Sequence, residues 1–216
     1  MQRKESDSGR WWITVCLAVL WSCGGGGGGG GSTVLSGALI EPPANQCAGC
    51  SVGGQTVTFL ALGQNEAPSP LTQASTDASG NYVSSPLEAM LGGRRAVIAV
   101  ASVSSTAGLG GVESVSSGRN VKNFDVHTQI ACQAAVDLTK GDDPNDPNHA
   151  VCGGTTTTLP ASSIDDTRIA NLEQAAAIIQ DRVNLSSDVP HAACTVILCT
   201  FGGATTASAE CMNGNF

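Results

Sequence analysis

Large rings are scarce in this chain: aromatic residues make up 4% of it, with a single tyrosine. Charged residues account for only 13%, while Gly, Ser, Thr and Ala abound. That mixture suits a thin, sheet-rich domain with linkers rather than a thick enzyme core. Basic residues are outnumbered, ten against eighteen acidic, for a net charge of −8. Arg3-Lys4 and Arg94-Arg95 are the adjacent basic pairs, and no longer basic run occurs. Clustered Lys and Arg are what phosphate contacts require, so the composition excludes a nucleic-acid partner. The acidity serves solubility. Long apolar runs are missing too. Trp11–Trp21 (WWITVCLAVLW) falls short of the ~20 residues a helix needs to cross a bilayer.

Catalytic signatures are equally absent. The histidines, His127, His149 and His191, form no H-E-x-x-H pattern, and neither G-x-S-x-G nor a G-K-[ST] phosphate loop occurs. Gly24–Gly31 contains G-x-G-x-x-G only because any glycine run does. A dinucleotide fingerprint needs a strand before it and a helix after it. The expectation is a protein without catalytic residues, resident metal or cofactor.

Cysteine, by contrast, is plentiful. Nine in 216 residues point to an oxidising compartment. Cys16 and Cys23 lie in the N-terminal segment; Cys47, Cys50, Cys132, Cys152, Cys194, Cys199 and Cys211 remain as candidate disulfide cysteines. Seven is odd, so at most three bridges form among them. A Cys132–Cys152 bridge would stabilise by ~3 kcal/mol in the chain-entropy model, and is the favoured pair. Cys47-Ala-Gly-Cys50 admits three readings: a structural disulfide, a redox dithiol, or half a zinc site completed by Cys194 and Cys199. Pro42-Pro43 before it and Gly53-Gly54 after it indicate a loop, which favours the structural disulfide.

The N-terminus carries Arg3, Lys4 and Arg10 ahead of the apolar stretch, the layout of a secretory signal. Leu20-Trp21-Ser22-Cys23 then resembles the bacterial lipobox, Leu-x-(small)-Cys. That resemblance implies removal of residues 1–22 and diacylglyceryl modification of Cys23, which would tie the protein to a membrane. Gly24, in place of the Asp that retains such proteins at the inner membrane, implies the outer membrane. The alternative is an ordinary cleaved signal with Cys23 unmodified. Residues 23–33 read as the anchor and its tether. Gly-rich chain spans ~5–6 Å × √n, or about 16 Å for Gly24–Ser32.

From residue 34 the pattern has period two. Val57, Phe59 and Ala61 alternate with Thr56, Thr58 and Leu60; Ala96–Ser102 and Val34–Ile40 are further strand candidates. Thr76-Asp-Ala-Ser-Gly-Asn-Tyr82 reads as a turn in which Gly80 supplies a positive φ and Tyr82 enters the next strand. These strands, the T-D-x-x-G-x-Y turn and Gly92-Gly93 together resemble the carboxypeptidase-regulatory or transthyretin-like family. The resemblance implies a small antiparallel β-sandwich over residues 34–104, acting as a spacer, stability or binding module.

Residues 105–121 are Ser/Gly-rich and read as a linker, leaving 122–216 as a helical, disulfide-bearing region. Asp125 is a candidate N-cap, with Ile130, Ala134 and Leu138 on one face and His127 at the surface or cap. Ser163-Ile-Asp-Asp166 resembles a capping box for an amphipathic helix of ~20 residues with Ile169, Leu172, Ala176, Ile179 and Val183 inward. His191–Phe201 is apolar enough for either a helix or a buried strand. Gly141–His149 is acidic and Pro-punctuated without the alternation of a Ca²⁺ loop, and reads as a solvated loop. The fold class expected is α+β, sandwich first and helices after. The role expected is a non-catalytic binding, spacer or structural module held at the cell envelope through its lipid, its protein or glycan ligand unspecified. A secreted metal-binding or thiol-redox protein using Cys47 and Cys50 is the alternative.

Overall fold

The computed structural model describes residues 33–63, 68–87, 96–114, 119–140, 159–201 and 209–216. The expected signal, Cys23, the glycine tether, the acidic loop at 141–149 and Cys152 lie outside them. Among the described residues seven strands precede four helices, and the strands are β1 Val34–Ala38, β2 Thr56–Ala61, β3 Ser69–Ser75, β4 Asn81–Val83, β5 Ala96–Ser102, β6 Gly108–Ser114 and β7 Arg119–Val121. The helices are α1 Val126–Lys140, α2 Asp166–Ile179, α3 Val189–Phe201 and α4 Ala209–Asn215, with 3-10 turns at Ala161–Ser163 and Gln180–Arg182. The α+β class and the order of strands before helices are as expected.

The strands form two sheets, a four-stranded one in the order β3-β2-β5-β6 and a three-stranded one in the order β4-β1-β7. The larger is antiparallel throughout, with Phe59 opposite Ala99 and Ala99 opposite Gly111. The smaller is mixed, because β1 pairs antiparallel with β4 but parallel with β7. An all-antiparallel arrangement was expected. The difference arises because β7 comes from residues 119–121, which composition marks as linker.

That linker is the main correction to the domain boundaries. Residues 105–121 hold β6 and β7, which complete one sheet each. Glycine is a poor strand former, so Gly108–Gly111 reads as loop. Its presence has a packing reason. A methyl on Gly111 would fall 2.5 Å from Cδ1 of the buried Phe124 ring, and one on Gly110 would fall 2.5 Å from the Ala99 carbonyl. Bare backbone here lets α1 and the segment leading into it close over β6, so this sheet edge is covered.

β5 is apolar on both faces, and Ala96–Ala99 are fully buried. The inner faces of the two sheets meet through aromatics. Tyr82 of β4 lies 5.9 Å from the Phe59 ring and stacks on Phe124 at 5.1 Å, an ordinary separation for paired rings. The Tyr82 hydroxyl donates to the Lys122 carbonyl at 2.7 Å, and burial pushes its ionisation well above the ordinary phenol value. The turn before it is built as read. Gly80 has φ of +84°, and the Asp77 carboxylate accepts from the Ser79 and Asn81 amides at 2.8 and 2.9 Å. Bonds from the Asn81 side chain and backbone hold Asp77 below the ordinary carboxylate range.

The helices are not a separate domain, since one hydrophobic core runs from Leu35 to Met212. α1 is its centre, packed by β6, α2 and α3, and it is buried around most of its circumference rather than on one stripe. Its alanines permit that enclosure. α2 is amphipathic as expected, burying Ile169, Leu172, Ala176 and Ile179. It starts later than the Ser163 reading, because Asp165 is the N-cap, accepting from the Arg168 amide at 2.8 Å. Residues 189–201 resolve to helix.

Candidate functional site

Three local arrangements concentrate the chemistry, all where strands meet helices. The first is the Cys47–Cys50 loop. The two cysteines are joined, with Cα atoms 5.7 Å apart; Cys47 is buried and Cys50 partly so. Gly49 between them sits at φ +74°. Gln46, just ahead, clamps the loop to the helical part. Its side-chain amide donates to the Gln180 carbonyl at 2.6 Å, and its own carbonyl accepts from the Leu185 amide at 3.0 Å.

The second lies at the α1 N-terminus. Asp125 and Thr128 cap each other reciprocally: the Thr128 amide donates to Asp125 Oδ1 at 3.1 Å, and the Asp125 amide donates to the Thr128 hydroxyl at 2.8 Å. His127 Nδ1 meets the same Asp125 oxygen at 2.7 Å and Gln180 Oε1 at 3.3 Å. Two oxygen acceptors on one nitrogen place the proton there. The bond to Asp125 raises His127 above its ordinary value against the opposing effect of burial. Burial pushes Asp125 up, but the bonds from His127 and the Thr128 amide outweigh it and leave the carboxyl below its ordinary value. The His127 ring thus contacts Asp125 and Gln180. Gln180 joins the two arrangements, through its carbonyl to Gln46 and its side chain to His127. No sequence pattern singles it out.

The third is an ion cluster. Lys122 Nζ lies 2.5 Å from Glu173 of α2 and 3.5 Å from Glu113 of β6, all three largely buried. Burial raises Glu113, and Lys122 opposes that shift while Glu173 and Asp166 add to it. One lysine between two carboxylates ties α2 to the sheet edge.

Of the remaining predicted cysteines, Cys199 and Cys211 are bonded, joining α3 to α4, and Cys194 is also in a disulfide. Cys132 is not. It is a free, fully buried thiol on α1, which corrects the favoured Cys132–Cys152 pair. Residue spacing along the chain cannot reveal that α1 is enclosed on nearly every side. Burial in that apolar packing pushes the thiol up to about 12, with Asp137 adding to the shift. Among the described residues no group of three or more His, Cys, Asp or Glu is placed to hold a metal ion. Nor is any described helix long and apolar enough to cross a membrane. No protein-family model matches the chain, and no curated protein sequence does either.

Proposed function

We propose that the protein is exported, lipidated at Cys23, and serves as a non-catalytic binding or spacer module at the cell envelope, in the outer membrane. The observation that carries this reading is Leu20-Trp21-Ser22-Cys23, placed after a short apolar run and directly before eight glycines. The Cys47–Cys50 and Cys199–Cys211 bridges support it, as they suit an oxidising compartment. A transthyretin-like arrangement is the finer fold reading. It is supported by two sheets sharing one core and by the T-D-x-x-G-x-Y turn entering β4.

The test is the intact mass of the purified mature protein, with detergent-phase partitioning of wild type and Cys23→Ala. Wild type should begin at Cys23, carry two or more acyl chains and enter the detergent phase, because one chain anchors only marginally. Cys23→Ala should stay uncut or be cut elsewhere, without acyl chains. An unmodified Cys23, or partitioning unchanged by the substitution, overturns the reading. A second readout is built in. All three tryptophans, Trp11, Trp12 and Trp21, precede Cys23, so the mature protein should show no tryptophan emission. The rival thiol-redox or metal reading draws on the joined Cys47–Cys50 pair. It would be favoured if that pair cycled with a mild dithiol while Cys199–Cys211 stayed closed, or if zinc approached one equivalent.

A further inference from the structure

The outward face of the three-stranded sheet is where this chain differs from the rest of its surface. Leu35, Leu39 and Tyr82 point into the core, which puts Val34, Ser36 and Ala38 of β1 on the opposite side of the strand, Val34 and Ala38 half-buried and Ser36 buried at 6% exposure. Ser36 lies opposite Val83 on one side and Val121 on the other. These two valines are 57% and 71% exposed, the two most exposed of the large hydrophobics among the described residues. Ile40 continues the same alternation at 44% exposure, and Asn81 completes the row on β4. Asp77 borders this row, its carboxylate accepting from the Asn81 side-chain amide at 2.8 Å, and Glu41 follows Ile40 in the chain.

We infer that this face docks on the bilayer to which the chain is tethered, seating Val83 and Val121 in the headgroup–acyl boundary. The inference rests on the lipid anchor proposed above. What selects the bilayer as occupant is the chain's own layout. The segment from Cys23 enters this sheet directly at Val34, its central strand. Ten residues, Gly24 to Thr33, separate Cys23 from Val34, and a flexible glycine-rich chain of that length has a span of about 17 Å and a full extension of about 35 Å. The face is therefore always within reach of the membrane, at an effective concentration on the order of millimolar, as short flexible linkers give. A small apolar contact too weak to bind alone suffices under those conditions.

Because tryptophan is confined to residues that the signal peptidase would remove, a single introduced tryptophan reports cleanly. Acylated full-length protein, processed in its host and reconstituted in anionic vesicles containing brominated lipid, would be compared as Val83→Trp and Gln73→Trp. Gln73 is exposed on β3 of the other sheet. Val83→Trp should be quenched at least threefold more than Gln73→Trp, and adding Val121→Asp should lower it to the Gln73→Trp level. If Val83→Trp disturbs folding by circular dichroism, Ile40→Trp reads the same face. Equal quenching at both positions in acylated protein overturns the docking face and leaves the anchor standing. Absence of acyl chains by mass overturns the anchor and the docking face with it. Cross-linking of two copies through Val83, with no lipid quenching, overturns the bilayer as occupant.

Discussion

Tyr82→Phe removes one oxygen from the point where the two sheets and the helix entry meet. The ring's contacts with Phe59 and Phe124 survive the change, so the loss is confined to the 2.7 Å bond to the Lys122 carbonyl. That carbonyl lies just beyond β7, where the Ala38 amide is occupied by the Asn123 side chain instead. An intramolecular hydrogen bond contributes about 0.5–1.5 kcal/mol net, and a buried acceptor left alone costs about 1–3 kcal/mol. Tyr82 itself is 2% exposed, so water reaches the orphaned carbonyl poorly and a loss of about 1.5 kcal/mol is expected. For a chain of this size that lowers Tm by about 3–6 °C. Far-ultraviolet circular dichroism in a urea series, disulfides intact, measures it without relying on tyrosine emission. The slope of the transition should stay the same while its midpoint falls. A midpoint within error of wild type would refute the reasoning, because it would mean that the hydroxyl finds water and does not tie β4 to the strand-to-helix crossing.

Further outcomes follow from the same contacts. Opening Cys199–Cys211 with a double Cys→Ala change should cost about 3 kcal/mol by loop-closure entropy, read as a shift in the urea midpoint. Cys132 should resist iodoacetamide at pH 8 in the native state, with thiolate at about one part in ten thousand, and react once urea unfolds the chain, as located by peptide mass. The Asp125–His127 pair gives stability a pH window. His127, raised in the fold, contributes fully below its unfolded value near 6.5 and loses that contribution as pH rises through the folded value. Asp125, lowered in the fold, contributes above its unfolded value of about 3.9 and loses that as pH falls through its folded value. His127→Gln should therefore flatten the decline in Tm between pH 6 and 8; an unchanged decline assigns it to other groups.

How legible all this is in the sequence depends on which force decided each element. β2, β5, the Asp77 turn and α2 follow local rules of alternation, capping and turn chemistry, and a reader of the chain finds them. β3 escapes because Pro70 and its polar neighbours suit an exposed edge strand rather than a core one. β6 and β7 escape because tertiary contact overrides propensity. Glycines that look like slack are there to admit Phe124 and α1. Cys132 misleads for the same reason, its fate set by what surrounds α1. The Asp125 cap is readable from residue type, yet Gln180 and Lys122, which tie distant segments together, carry no periodic or motif signal.

The place of β1 in its sheet bears on how the molecule withstands pulling. Its amides and carbonyls are shared with β4 on one side and β7 on the other. Tension applied to the chain ahead of Thr33, along the strand, would thus strain both ladders at once in a sliding motion. Hydrogen bonds loaded side by side must yield together, whereas an edge strand peels one bond at a time. A pull on the N-terminus is therefore shared between two neighbouring strands at the middle of this sheet instead of falling on a single ladder.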